Sequence, residues 1–341
     1  MTSASVDPAS LDPVSAAWHP VARADEVSDR ALGVRLLGEE LVVVRDADGS
    51  VGVLPGRCPH RGTALGGAEV VAGAVVCPYH GWRFGLDGRC ALIPSLPEGP
   101  IPSGAHPGAL PSVVRHGLVW ASLDPGADPD AVPSFPEPGE DPGMRLVTGA
   151  PMTWRTSAGR HLENILDLAH FPFVHPSTFG CPEAEVVAAH DVQRLPSGGI
   201  AADVEVTTRN PDTPDGPLYP GLGPLISLGY HYEVQLPYRI TLRFAFPDGM
   251  RRALHEVITP VAPDECRIHW ALLVDERLDS ADDDELAFAH AVFAEDQPVI
   301  ESQPPGVPVG VRDEVHVPAD RLAVAYRRAL RDHGVPDNVL V

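Results

Sequence analysis

The chain has 341 residues, 44% of them apolar and 21% charged, enough for one large or two ordinary domains with real cores. A net charge of −22 repels nucleic acid and anionic membranes, and no run of about 18 uninterrupted apolar residues offers a membrane span. All 25 basic residues are arginine, which excludes a lysine Schiff base, a lysine general base and a P-loop lysine.

In chain order, residues 1–17 carry neither a basic patch nor an apolar run. They read as a disordered lead-in rather than a secretory signal, and the expected location is the cytoplasm. Residues 41–54, "LVVVRDADGSVGVL", are two β-rich runs around an Asp48–Gly49 turn, and residues 112–123 repeat the pattern around His116–Gly117. Short Gly- and Pro-punctuated strands lie between, so 18–125 is expected to be a small all-β domain. The Pro-, Gly- and acid-rich stretch 126–143 reads as a linker. A helix is expected at 158–170, β-rich runs at about 185–208, 228–247, 251–261 and 265–275, and helices at 282–303 and 319–333. A long loop over 210–225 has the length of a lid or binding loop. Domain 144–341 is then an antiparallel sheet with helices, and the whole chain is α+β.

Five cysteines are too few and too scattered for a disulfide framework. Cys90, Cys181 and Cys266 read as buried thiols. Cys58 and Cys77 belong to a pattern: "CPHRG" (58–62) is answered by "CPYHGW" (77–82). Each half supplies one thiolate and one imidazole, Cys58 with His60 and Cys77 with His80. Structural zinc would not normally alternate its donors in this way. A Rieske [2Fe–2S] centre does, because two cysteines hold one iron and two histidines the other. Gly62 and Gly81 suit tight loops whose N–H groups approach the sulfurs, Pro59 and Pro78 stiffen the turns, and Trp82 offers an apolar cover.

The motif, its N-terminal β setting and the chain length resemble the Rieske non-haem iron oxygenases, specifically oxygenase (α) subunits of the vanillate O-demethylase and dicamba monooxygenase branch. The resemblance runs from about Trp18 to the C-terminal helix. It implies a catalytic domain of helix-grip (START-like) type, a mononuclear Fe(II), O₂ as co-substrate and a homotrimer.

A cluster that carries one electron needs an acceptor, and "ENILDLAHFPFVHP" (163–176) offers histidines five apart. Asp167 and His170 would be i, i+3 neighbours on one helix face, and Pro172, disfavouring helix at Phe171, would let His175 swing back. Phe171, Phe173 and Val174 would keep the site apolar. By resemblance, His170 and His175 are iron ligands, Asp167 is a bridging carboxylate hydrogen-bonded to a ligand histidine, and Asn164 lies near the iron without binding it. For the third ligand, "HAVFAEDQPVIESQ" (290–303) offers Glu295, Asp296 and Glu301. Periodicity leaves the first two open: Asp296 shares a stripe with Leu286, Ala289, Phe293 and Ile300, and Glu295 shares one with Phe288, Val292 and Val299. The resemblance selects Asp296. Pro298 is an expected kink in that helix. His161 and His290 are further histidines near the site, read as structural.

No G-x-G-x-x-G fingerprint occurs, so NAD(P)H is not expected to bind this chain, and a separate ferredoxin or NAD(P)H-dependent reductase is implied. Between residues 51 and 90, Arg57, Arg61, Arg83 and Arg89 outnumber Glu69 and Asp87, a local net of +2 that suits docking of an acidic ferredoxin. The expected activity is hydroxylation or O-/N-demethylation of a hydrophobic aromatic molecule. The alternatives are a ring cis-dihydroxylating dioxygenase, a Rieske electron carrier, which would need only the first third of the chain, and a non-catalytic helix-grip binding protein, which leaves both metal constellations unexplained.

Overall fold

The structure is a computed structural model, and it describes residues 12–213, 216–219, 221–278, 280–304, 306 and 314–335. Most of the expected lead-in lies outside the described residues. Two compact units are present. One runs to Ser134 and includes Thr259–Ala262; the other comprises Phe135–Ile258 and the residues from Pro263 onward.

The first unit is built of short antiparallel strands. Leu32–Leu36, Glu39–Arg45 and Val51–Pro55 form a meander, with Arg45 opposite Val51 across the expected Asp48–Gly49 turn. The apolar run in Glu39–Arg45 lacks polar alternation because both of its faces are covered. Val42 and Val44 join one core with Leu54, Leu65 and Phe84, while Leu41 and Val43 join another with Val21, Val53 and Val119. The second hairpin pairs Ser112–Arg115 with Leu118–Ala121. At its tip His116 (φ 55°) and Gly117 (φ 71°) both adopt the positive φ that a two-residue type I′ turn demands. A four-stranded sheet, Val70–Val71, Ala74–Val76, Arg83–Phe84 and Cys90–Leu92, suspends residues 77–82 between its middle strands.

The second unit centres on an eight-stranded antiparallel sheet. Its order is Met144–Thr148, Glu265–Asp275, Arg251–Ala262, Arg239–Ala245, Leu225–Gln235, Ile200–Arg209 and Val192–Arg194, with Met152–Trp154 also pairing on Glu265–Asp275. Along Leu225–Gln235 the buried residues are Ile226, Leu228, Tyr230, Tyr232 and Val234, a strict period of two. Helix Asp282–Ile300 carries four acidic residues in its first turn, where the helix dipole favours them, and buries Glu285, Ala289, Phe293, Asp296 and Ile300.

Several expectations need correction. The helix expected over 158–170 ends at Ile165, because Asp167 turns its side chain back to accept from the Ala169 N–H. Pro172 does not end a helix; it sits in the first turn of a new one, Phe171–Val174, where its missing N–H costs nothing. The run 228–247 is two strands with a turn at Pro237–Tyr238, and residues 185–191 form no strand. The helix expected over 282–303 ends at Ile300, with Pro298 inside it. Within the described part of the 210–225 loop, Asp212–Thr213 pairs with Gly216–Pro217.

Candidate metal centres and substrate cavity

In the first unit the two Cys/His loops close in the same way. The Gly62 N–H bonds the Cys58 carbonyl and the Gly81 N–H bonds the Cys77 carbonyl, each at 2.9 Å, with φ of 70° and 71° at the glycines. A side chain there would be strained. Both cysteines are buried and both histidines exposed, so the sulfurs sit at the base of the loops and the imidazoles at the rim. Burial pushes the Cys58 thiol up to about 11, while the N–H groups of His60 and Arg61 aimed at its sulfur act in the opposite direction. The His60 and His80 rings lie 4.6 Å apart, and Trp82 stacks on His60 at 4.7 Å. Two buried sulfurs behind two exposed nitrogens fit a cluster with thiolates on one iron and imidazoles on the other. Of the four arginines nearby, Arg57 is tied to Glu40 and to the Gly62 carbonyl, so the basic collar shrinks. Arg61 and Arg89 are exposed and Arg83 is half-buried.

In the second unit His170 lies just before helix Phe171–Val174, His175 caps its end, and Asp296 comes from helix Asp282–Ile300. Asp296 Oδ1 stands 3.4 Å from His170 Nε2 and 3.3 Å from His175 Nε2, and the two nitrogens are 3.1 Å apart. One donor atom from each residue falls within 4.8 Å of the others. Asp296 Oδ1 is buried and makes no hydrogen bond among the described residues. An acceptor left that way is costly unless a cation completes it. Two neutral imidazole nitrogens and one carboxylate on one face, with open positions opposite, are the donor set that suits non-haem ferrous iron.

The electrostatics point the same way. Burial works against charge on Asp296, yet the two imidazoles hold its carboxyl well below the usual range. Burial likewise opposes charge on His175, but Asp296 and Glu295 outweigh it and raise the imidazole above its ordinary value. Glu295 is thus not in the converging set. Its Oε2 lies 3.0 Å from His175 Nδ1 and accepts from Thr178 Oγ1 at 2.6 Å, while Oε1 accepts from the Ser177 N–H at 3.1 Å. A carboxylate behind a histidine fixes its tautomer and ring orientation. Glu301 pairs instead with Arg155. Asp167 Oδ2 stands 3.8 Å from His170 Nδ1, beyond a hydrogen bond, and that nitrogen has no hydrogen-bond partner among the described residues.

These donors lie at one side of a cavity of about 130 Å³. Sheet positions Leu228, Tyr230, Leu242, Phe244 and Leu254 line it, as do helix positions Phe288, Val292 and Phe293, together with Phe171, Phe179 and Asn164. These five sheet residues are all even-numbered, as one face of strands paired in this register presents. His161 is buried and bonds Glu256 rather than approaching the converging donors, and His290 is exposed, its ring edge-on to Trp270. Glu256 and Arg252 on the cavity wall were not anticipated; they come from strand Arg251–Ala262, far from either motif, whereas Tyr219 belongs to the 210–225 loop expected to bind.

Taken together, a two-loop sulfur and nitrogen site in a β unit and a histidine–carboxylate site beside an apolar cavity define an oxygenase that receives electrons from outside. Residues 17–113 match the Rieske [2Fe-2S] domain, and residues 154–333 match the vanillate O-demethylase oxygenase C-terminal domain. Among curated proteins, methylxanthine N1-demethylase NdmA of Pseudomonas putida is 33% identical over 92% of this chain and 88% of its own. The structure of NdmA with caffeine superposes with a TM-score of 0.77 at 32% identity, covering 92% of this chain and 89% of that one. Dicamba monooxygenase bound to dicamba, 23% identical over 95% of this chain and 98% of that one, shares the fold with a TM-score of 0.77. The chain belongs to the Rieske non-haem iron oxygenases with a vanillate O-demethylase-type catalytic domain. It is a monooxygenase component that uses a [2Fe–2S] cluster, a mononuclear iron and O₂, with electrons from a separate transfer partner. Among the described residues no helix is long and apolar enough to cross a membrane.

Proposed function

We propose that the protein oxidatively removes a methyl group from the oxygen or nitrogen of a small, apolar, aromatic molecule bound beside His170, His175 and Asp296. One observation carries this reading: three donors converge, with Asp296 Oδ1 unpartnered, against a cavity walled by the rings of Phe171, Phe179, Tyr230, Phe244, Phe288 and Phe293. Flat apolar walls favour a flat apolar guest. NdmA, a relative that matches over most of both chains, is named for demethylating methylxanthines.

In this reading His170, His175 and Asp296 hold the ferrous ion, and Cys58, His60, Cys77 and His80 hold the cluster. When bound, these groups supply stepwise electron delivery and O₂ reduction. The chain's own residues do the rest. The aromatic wall excludes water and fixes the methyl group near the donors, and Glu295 holds His175 through Nδ1. Asp167, facing the unpartnered Nδ1 of His170, acts as the carboxylate that links the two metal systems, and Asn164 contacts the substrate from the cavity wall. The Rieske domain is taken as 18–125 and the catalytic domain as 144–341, joined by 126–143. The enzyme works in the cytoplasm as a homotrimer. Its electrons come from an acidic ferredoxin, or directly from a reductase, which docks near Arg61 and Arg89.

The test is product analysis with methoxy- and N-methyl-arenes, a reductase system and O₂. One formaldehyde per substrate consumed is expected. A ring cis-diol formed without formaldehyde would overturn the demethylase reading in favour of dihydroxylation.

A further inference from the structure

The cavity wall has one acidic group that the metal-facing residues do not use. Glu256, on strand Arg251–Ala262, is fully buried and lines the cavity. Its Oε2 lies 2.7 Å from Nε2 of His161, which is itself buried. Its other oxygen, Oε1, has no protein hydrogen-bond partner among the described residues. Whichever of the two side chains carries the proton in the 2.7 Å bond, Oε1 keeps lone pairs to accept another.

The pair is rigidly held. His161 sits on helix Ala158–Ile165 with its ring edge-on to buried Trp154 at 4.5 Å. Two residues before Glu256, Leu254 lines the same cavity, and two before that Arg252 does so as well. Arg252, however, is already engaged, by buried Glu285 at 2.8 Å and by the Tyr219 hydroxyl at 2.9 Å. The wall of this strand therefore offers the guest an apolar patch, an arginine whose charge is matched, and an unused acceptor. A carboxyl group buried with one oxygen idle is retained against a steep desolvation cost.

We propose that Glu256 Oε1 is a specificity determinant that accepts a hydrogen bond from an N–H or O–H group on the edge of the substrate ring. This rests on the reading of the cavity as an aromatic site and narrows it: the substrate is a methylated arene or heteroarene that also carries a ring-edge donor. A guest methylated at every heteroatom leaves Oε1 unpaired and is discriminated against, because a site built around a polar group rejects an analogue lacking its partner. His161 is a positioning residue in this arrangement, setting the carboxyl plane so that Oε1 faces the guest.

The experiment compares two probes of the same shape, 4-methoxyphenol, which has the donor, and 1,4-dimethoxybenzene, which lacks it. Equilibrium dialysis with the holoenzyme gives both Kd values for the wild type, for Glu256→Gln and for the double variant His161→Phe/Glu256→Leu. Taking the ratio of the two Kd values within each protein and comparing proteins cancels the difference in how the probes leave water. The double variant, which removes both buried partners together, should shift that ratio about tenfold against the phenol. Glu256→Gln keeps the shape, replaces one carboxyl oxygen with an amide nitrogen that cannot accept and should shift it in the same direction by about threefold, so it decides the matter if the double variant fails to fold. Ratios that agree within about twofold across the proteins, with both probes still bound, would overturn the proposal and leave the aromatic reading standing. If neither probe binds the wild type, the aromatic reading itself fails and this inference falls with it.

Discussion

At the residue scale, selectivity between neighbouring carboxylates is the central matter. Glu295 and Asp296 are adjacent, both on apolar stripes, and hydropathy cannot separate them. The structure does so through reach: the short Asp296 side chain meets two Nε2 atoms, while Glu295 passes behind His175 to Nδ1, Thr178 and Ser177. Glu295→Gln should weaken iron retention about tenfold or more in a chelator competition while leaving the cluster's visible spectrum unchanged. Unaltered retention would remove its orienting role. Asp167→Asn should retain both metals yet lose turnover coupled to O₂ consumption, measured as formaldehyde formed per O₂ used; normal coupling would contradict the linking role. The alternating thiol and imidazole of the first site were legible in the sequence because the donors are local and their glycines fix the loop closure. The Glu256–His161 pair was not, since 95 positions separate its members and neither stands in a motif.

Elements transmit these side-chain positions. The 163–176 stretch read as a helix interrupted by proline, but the polymer solves the same problem differently: helix, Asx turn, then a four-residue helix opened by Pro172. Local side-chain bonding by Asp167 outcompeted continuation of the helix. The two strands within 228–247 merged in the sequence because both are apolar, with Pro237 the available signal of the turn. Gly149, in the link between strands Met144–Thr148 and Met152–Trp154, shows how a short connection supports the site at a distance. A Cβ there would meet the Trp270 indole at 2.0 Å, and Trp270 packs on Phe293, less than one turn from Asp296. Gly149→Ala should destabilise the protein by about 2–3 kcal/mol, read as a lower urea midpoint, through overpacking. A midpoint equal to wild type would mean that Trp270 yields freely.

At the scale of the whole molecule, stability should depend on pH through buried imidazoles. Burial lowers His19 to about 4, and its Nε2 bonds the Val14 carbonyl at 2.8 Å. The ordinary value of 6.5 applies once the chain unfolds. Between the two values the unfolded chain binds the extra proton, so stability falls as pH drops from 6.5 towards 4, by about 3 kcal/mol for this group. His19→Gln should flatten that part of a urea-unfolding profile; an unchanged slope would show that His19 does not titrate there. The architecture as a whole, an N-terminal β unit and a larger antiparallel sheet with a long C-terminal helix, was readable from turn signals and strand periods. The enclosure of a cavity by one even-numbered sheet face and one helix face was not, because it depends on pairing between distant strands.

The central claim is that one chain holds a two-iron cluster and a separate mononuclear iron on its own side chains. Iron and acid-labile sulfide analysis of wild type and Asp296→Ala, with EPR of the reduced proteins, tests it most directly. The wild type should contain about three irons and two sulfides per chain, and the variant about two of each with the reduced-cluster signal retained. An Asp296→Ala protein that keeps the third iron, or a wild type that carries zinc and no sulfide, would contradict the account.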